Sequence, residues 1–226
     1  IGNLTFASST ANTYLTFSGT NSLTVNGSVT LSEPTSNNRS CYVNVANGSL
    51  TAGSVTMPNT ARDTRDCYLQ LDTGTVTVGN VTMEGSNLRN YILFSGGGTV
   101  NVQGTISGGG ITSTPGGGSV LTAGTVNYNN SGDQNVGAYP YYNNLTISGS
   151  GNKSLTGNNT TVNVNGSLTL NSGILQLGTN NLTLVTAASS NILGGPFSST
   201  CMVETNGTGY LQQQIFTTTP YTVPLG

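Results

Sequence analysis

Val25-Asn26-Gly27-Ser28-Val29 returns along the chain as Ala52-Gly53-Ser54-Val55, Val78-Gly79-Asn80-Val81, Gln103-Gly104-Thr105-Ile106 and Ala123-Gly124-Thr125-Val126. The aligned glycines lie 26, 26, 25 and 20 residues apart. Upstream of them runs a second column, Tyr14, Tyr42, Tyr68 and Tyr91, spaced 28, 26 and 23 residues. Two landmarks sharing one period identify an internal repeat, and repeats of this length mark solenoids, propellers or arrays.

Each unit reads as strand, turn, strand, glycine bend, strand. The first strands are Tyr14-Leu15-Thr16-Phe17 and its counterparts at 42–45, 68–71 and 91–94. The second are Leu23-Thr24-Val25 and its counterparts at 50–52, 76–78 and 100–102, and the third begin at Val29, Val55, Val81 and Thr105. Apolar and polar residues alternate in most of them, so one side faces a core and the other faces water. One such unit cannot bury its apolar face alone, so neighbours must stack. The spacing predicts an all-β fold, a right-handed parallel β-helix (β-solenoid) of about 25 residues and three short strands per coil. Coils stack about 4.8 Å apart, so equivalent residues form ladders. A β-sandwich also uses short strands between turns. It has no reason to keep a glycine in register with a tyrosine.

Composition narrows the function. Gly, Thr, Asn and Ser fill 123 of 226 positions, and only 12 residues are charged. Like charges stack badly in a ladder, which accounts physically for that scarcity. Histidine is absent, which excludes His-based acid–base catalysis and His metal ligands. Five Lys and Arg residues are too few for a phosphate-tracking surface, so nucleic acid is not expected as a partner. No apolar run is long enough to span a membrane as a helix. The start at Ile1 reads as processed or trimmed, and the chain as a piece of something longer.

Residues 1–128 read as regular coils, the fifth shortened between Gly108-Gly109-Gly110 and Gly116-Gly117-Gly118. Residues 129–186 continue the β-helix in an altered register, and 187–226 form a looser strand-rich end that leads into further coils or a cap.

The second half carries a resemblance. Tyr141-Tyr142-Asn143-Asn144-Leu145-Thr146-Ile147-Ser148-Gly149-Ser150-Gly151-Asn152-Lys153-Ser154-Leu155, Val164-Asn165-Gly166-Ser167-Leu168-Thr169-Leu170 and Val203-Glu204-Thr205-Asn206-Gly207-Thr208-Gly209-Tyr210-Leu211 resemble a segment of secreted Bacteroidota cell-surface proteins. The resemblance covers roughly residues 120–226 and implies a large extracellular protein of the adhesin type, exported by the type IX secretion system. It implies no ligand, because the segment serves as scaffold in many proteins. The sorting domain typical of such cargo is not in this sequence.

Several residues are candidates for chemistry. Tyr14, Tyr42, Tyr68 and Tyr91 have outward parity and stand beside Thr16, Asn44 and Gln70. An aromatic strip flanked by amides offers a platform for sugar rings, or else simply stabilises the sheet face. Cys41 and Cys67 occupy one coil position with inward parity, so they form either a disulfide or two buried thiols. Cys201 reads as a core thiol. Outward pairs Ser28/Thr30, Ser54/Thr56, Asn80/Thr82, Thr105/Ser107 and Thr125/Asn127 resemble a water-ordering grid. Glu33, Arg39, Arg62, Asp63, Arg65, Asp66, Glu84 and Arg89 fall in one corner as a mixed-sign, solubilising stripe. Asp63, Asp66 and Asp72 form the nearest carboxylate cluster, but the arginines beside them oppose a glycosidase pair and their number opposes a calcium site. No metal, cofactor or catalytic residue is expected.

The reading is thus an extracellular, non-catalytic structural or adhesive rod segment. Its expected partners are surface polysaccharide or other chains of the same assembly. The alternatives are an ice-binding solenoid and the scaffold of a polysaccharide-active enzyme.

Overall fold

A computed structural model describes residues 1–58, 64–85, 89–114, 121–185, 192–213 and 223–226. Among them there is no helix, and every strand-to-strand pairing within the sheets is parallel. The chain is a β-solenoid with coils of roughly 25 residues. It divides into two compact units, Ile1–Gly124 and Thr125–Gly226.

In the first unit, one sheet stacks Thr13–Phe17, Arg39–Val45, Arg65–Leu71, Asn90–Phe94 and Gly110–Thr112 in that order. Leu15, Val43, Leu69, Ile92 and Ile111 lie in register across it and face inward. A second sheet stacks Leu4–Thr5, Ser22–Thr30, Ser49–Met57 and Thr75–Met83, the last pairing with both Thr99–Val102 and Ile106–Gly108. Its core columns are Leu23, Leu50, Val76 and Val100, then Val29, Val55, Val81 and Ile106. Burying such columns from coil to coil is the main favourable term, worth about 1.5–3 kcal/mol per fully buried aliphatic side chain.

The second and third strands of a coil were expected to be separate. In three coils they are one nine-residue strand each. The glycine bend therefore lies inside a continuous ladder. Between Val25 and Ser28 the register shifts, because this strand carries one extra residue at the bend. The glycine column has a steric cause. A Cβ on Gly53 would sit 2.8 Å from the Gly27 carbonyl oxygen, and one on Gly104 would sit 2.7 Å from that of Gly79. The coil below leaves no room for any other residue.

The second unit uses three sheets, which is the expected three strands per coil. Thr125–Tyr128, Asn144–Ile147, Leu168–Leu170 and Ile192–Gly194 form the first, and Gln134–Gly137, Asn152–Thr156, Gly173–Gln176 and Cys201–Glu204 the second. Tyr141–Tyr142, Thr161–Val164, Asn181–Leu184 and Leu211–Gln213 form the third. Tyr128 and Tyr142 face inward: both are fully buried and their hydroxyls lie 3.2 Å apart. The Gly137 N–H donates to Tyr128, so the polar ends are satisfied inside the core. The loose end expected from 187 onward lies partly outside the described residues.

Candidate functional site

The four early tyrosines form one column. Tyr14 pairs in register with Tyr42, Tyr42 with Tyr68 and Tyr68 with Tyr91. Their rings are nearly parallel, with centroids 5.2, 4.6 and 5.0 Å apart. Parallel strands impose that spacing, and equivalent rotamers impose the parallel planes. Beside the rings run Thr16, Asn44 and Gln70, also in register, and the column ends in Leu93. Gln70 Nε2 donates to Ser95 Oγ at 3.3 Å. Asn44 Oδ1 is buried and accepts no hydrogen bond among the described residues.

Two features of this ladder differ from the sequence expectation. Tyr91 keeps its outward parity but is 0% exposed, whereas Tyr14 is 59% exposed. Leu93 and Thr112, which share the outward side, are buried too. Nearby, the Thr114 N–H donates to Thr112 Oγ1 and the Thr122 N–H to Ser113 Oγ. Tyr91 is thus no part of an accessible surface. The ring faces of Tyr42 and Tyr68 are also stacked against their neighbours. What they offer outward is a line of ring edges and hydroxyls, with an open ring face only at Tyr14.

Electrostatics follows the burial gradient. Burial, then Tyr42 and Asp66, pushes the Tyr68 phenol up to about 12, and burial also raises Tyr42. Burial raises the Asp66 carboxyl, while the Arg89 guanidinium and the Tyr91 hydroxyl pull it the other way.

Cys41 and Cys67 are register partners on adjacent coils and both are buried. They are free thiols in the structure, not a disulfide. The interaction between the two thiols holds Cys41 below the ordinary thiol range and, with burial, pushes Cys67 up. Cys67 Sγ also lies 3.7 Å from the Ser32 carbonyl oxygen. Cys201 is a buried thiol 3.5 Å from the Leu170 carbonyl oxygen.

The charged corner is less solvated than expected. Arg65 is 9% exposed, bonds Glu33 at 3.2 Å and donates to the Thr35 carbonyl at 2.8 Å. Arg65 stands in register with Arg39, and turning inward separates the like charges. Arg89 meets Asp66 at 3.3 Å and Asp72 is exposed, while Arg62 and Asp63 lie outside the described residues. No group of three or more carboxylates or thiols suited to a metal occurs among the described residues.

The hydroxyl columns are in register: Ser28, Ser54 and Asn80; Thr30, Thr56, Thr82 and Ser107; and Thr24, Thr51 and Thr77. Thr125 and Asn127, in the second unit, pair with Asn144 and Thr146. The asparagines have a structural use that the sequence reading missed. Asn3, Asn80 and Asn144 each turn Oδ1 to the backbone N–H of the residue one coil on, Ser28, Thr105 and Ser167, at 2.8–3.0 Å. The signal was available: each is an Asn followed one period later by Ser or Thr.

Lys153 was missed as well. It is 0% exposed in a strand whose inward positions are otherwise apolar, and its Nζ donates to the carbonyls of Asn130, at 2.8 Å, and Gly132. Desolvation lowers its pKa. Among known proteins, no family model, no curated protein and no solved structure matches the chain.

Proposed function

We propose that this chain is a non-catalytic structural segment of a large extracellular surface protein, adhesive through side-chain ladders. The observation that carries the reading is the stacking of like residues in register from coil to coil. Tyrosine stacks on tyrosine and threonine on threonine while the aliphatic columns close the core. Such a scaffold resists extension because each coil is hydrogen-bonded along its length to the next. The resemblance of the second half to Bacteroidota surface proteins supports the same location.

The adhesive contact is the strip of Tyr14, Tyr42 and Tyr68 with Thr16, Asn44 and Gln70. Stacking on an apolar sugar face falls to Tyr14, whose outer ring face is open. The phenol and amide edges of the rest supply hydrogen bonds to hydroxyls. Surface polysaccharide is therefore the partner. A glycan array tests this, with wild type expected to retain polysaccharides that Tyr14→Ala does not. Equal retention by both, or none by either, removes the adhesive role.

A second reading draws on the uniform Thr24/Thr51/Thr77 and Thr30/Thr56/Thr82 columns. These favour a water-ordering face, and measurable thermal hysteresis is its test.

A further inference from the structure

Cys41 and Cys67 stand directly opposite each other on adjacent parallel coils. Neighbouring strands are about 4.8 Å apart, inside the Cα separation that a disulfide spans. Both side chains point into the core, at 1% and 0% exposure, and each thiol is the other's neighbour. Each immediately precedes a ladder tyrosine. The ring pair they flank, Tyr42 and Tyr68, has the shortest centroid separation of the stack, 4.6 Å. The third cysteine, Cys201, belongs to the other unit.

We propose that Cys41 and Cys67 are an oxidative cross-linking site, closed by a disulfide that staples two successive coils beneath the tyrosine ladder. The electron acceptor is an external disulfide, either a small-molecule one or that of a thiol oxidoreductase. The Cys41 thiolate attacks the acceptor disulfide, forming a mixed disulfide and releasing one acceptor thiol. Cys67 loses its proton and attacks the Cys41 sulfur, closing the protein bridge and releasing the second acceptor thiol. One S–S bond forms, one breaks, and the two electrons and two protons leave on the acceptor.

Burial sets the timing. A thiol with no exposed surface does not meet an acceptor in the closed solenoid, so the bridge forms as one coil lays down on the next. It is then shielded from reductants for the same reason. The inference does not depend on the polysaccharide reading, although an extracellular chain folds among such acceptors.

The test refolds the full chain in a mixture of reduced and oxidised glutathione, alkylates free thiols under denaturing conditions and maps the tryptic peptides. Cleavage after Arg39, Arg62, Arg65 and Arg89 puts Cys41 in residues 40–62 and Cys67 in residues 66–89. The expected result is these two peptides joined, released by dithiothreitol, with Cys201 alkylated. Alkylation of both Cys41 and Cys67, a glutathione adduct on either, or a bridge to Cys201 overturns the proposal. A stability readout accompanies it. Protein refolded in dithiothreitol, so that the bridge never forms, melts lower than protein refolded in the glutathione mixture by on the order of 10 °C. The Cys41→Ser/Cys67→Ser double variant shows no such response. If that variant does not fold, the peptide map of the wild type decides alone.

Discussion

Gly53→Ala tests whether the coils touch as closely as the ladder requires. The φ of Gly53 lies outside the left-handed region. At such a position alanine ordinarily stabilises a protein by about 0.4–1 kcal/mol, by narrowing the unfolded ensemble. Here the added methyl carbon would stand 2.8 Å from the Gly27 carbonyl oxygen and 3.1 Å from that of Asn26. Both oxygens belong to the coil below and are backbone, so no side-chain rotation relieves the overlap. Overpacking of this kind costs about 1–3 kcal/mol. Subtracting the entropic gain leaves a net loss of about 1–2 kcal/mol. Gly97→Ala is the control, since its Cβ would meet nothing within 4 Å, and it should be neutral or slightly stabilising. Urea unfolding followed by far-ultraviolet circular dichroism reads both. A Gly53→Ala protein as stable as Gly97→Ala would refute the argument that coil contact, and not turn geometry, places the glycine column.

Other expectations follow from the same geometry. Tyr42→Ala removes two ring–ring contacts and should cost about 1–3 kcal/mol in denaturant unfolding; Tyr42→Phe keeps the rings and should cost little. The Tyr68 phenol, held up to about 12 chiefly by burial, titrates above its unfolded value. Its contribution is therefore complete below about pH 10 and lost as the pH rises through about 12. An alkaline titration should show a late tyrosinate phase that coincides with unfolding. A single early phase would contradict the buried gradient. Lys153→Met leaves two inward carbonyls without their donor and should cost about 2 kcal/mol. Unchanged thermal stability would show that the amine does not hold the turn.

The period was legible in the sequence because its cause is local and repeated. Gly53, Gly79 and Gly104 are each demanded by a carbonyl of the coil below, and Tyr42, Tyr68 and Tyr91 each stack on the ring below. Parity along Arg39–Val45 and Arg65–Leu71 likewise placed Cys41, Val43, Cys67 and Leu69 inward without error. Alternation could not show the fate of Tyr91. Parity within Asn90–Phe94 says nothing of what packs over the outer face, and every residue of that strand is buried. Nor could parity show that stacked rings hide their own faces, since that depends on the 4.6–5.2 Å spacing of whole rings. Arg65 looked solvated because charge alone suggests it, yet register with Arg39 gives it reason to turn toward Glu33. Lys153 sat at an inward position in plain view, but its partners are backbone carbonyls, which no side-chain pattern reveals.

Methyl contacts along one core column test the account most directly. Val29, Val55 and Val81 are buried register partners in successive coils. Nuclear Overhauser spectra of methyl-labelled protein should connect Val55 to both Val29 and Val81, at the strand spacing of about 4.8 Å. Parallel coils give partners whose residue numbers differ by a constant, whereas antiparallel hairpins give partners whose residue numbers add to a constant. A spectrum in which Val55 contacts neither valine, with cross-peaks following the second pattern, would contradict the stacked coils and everything built on them.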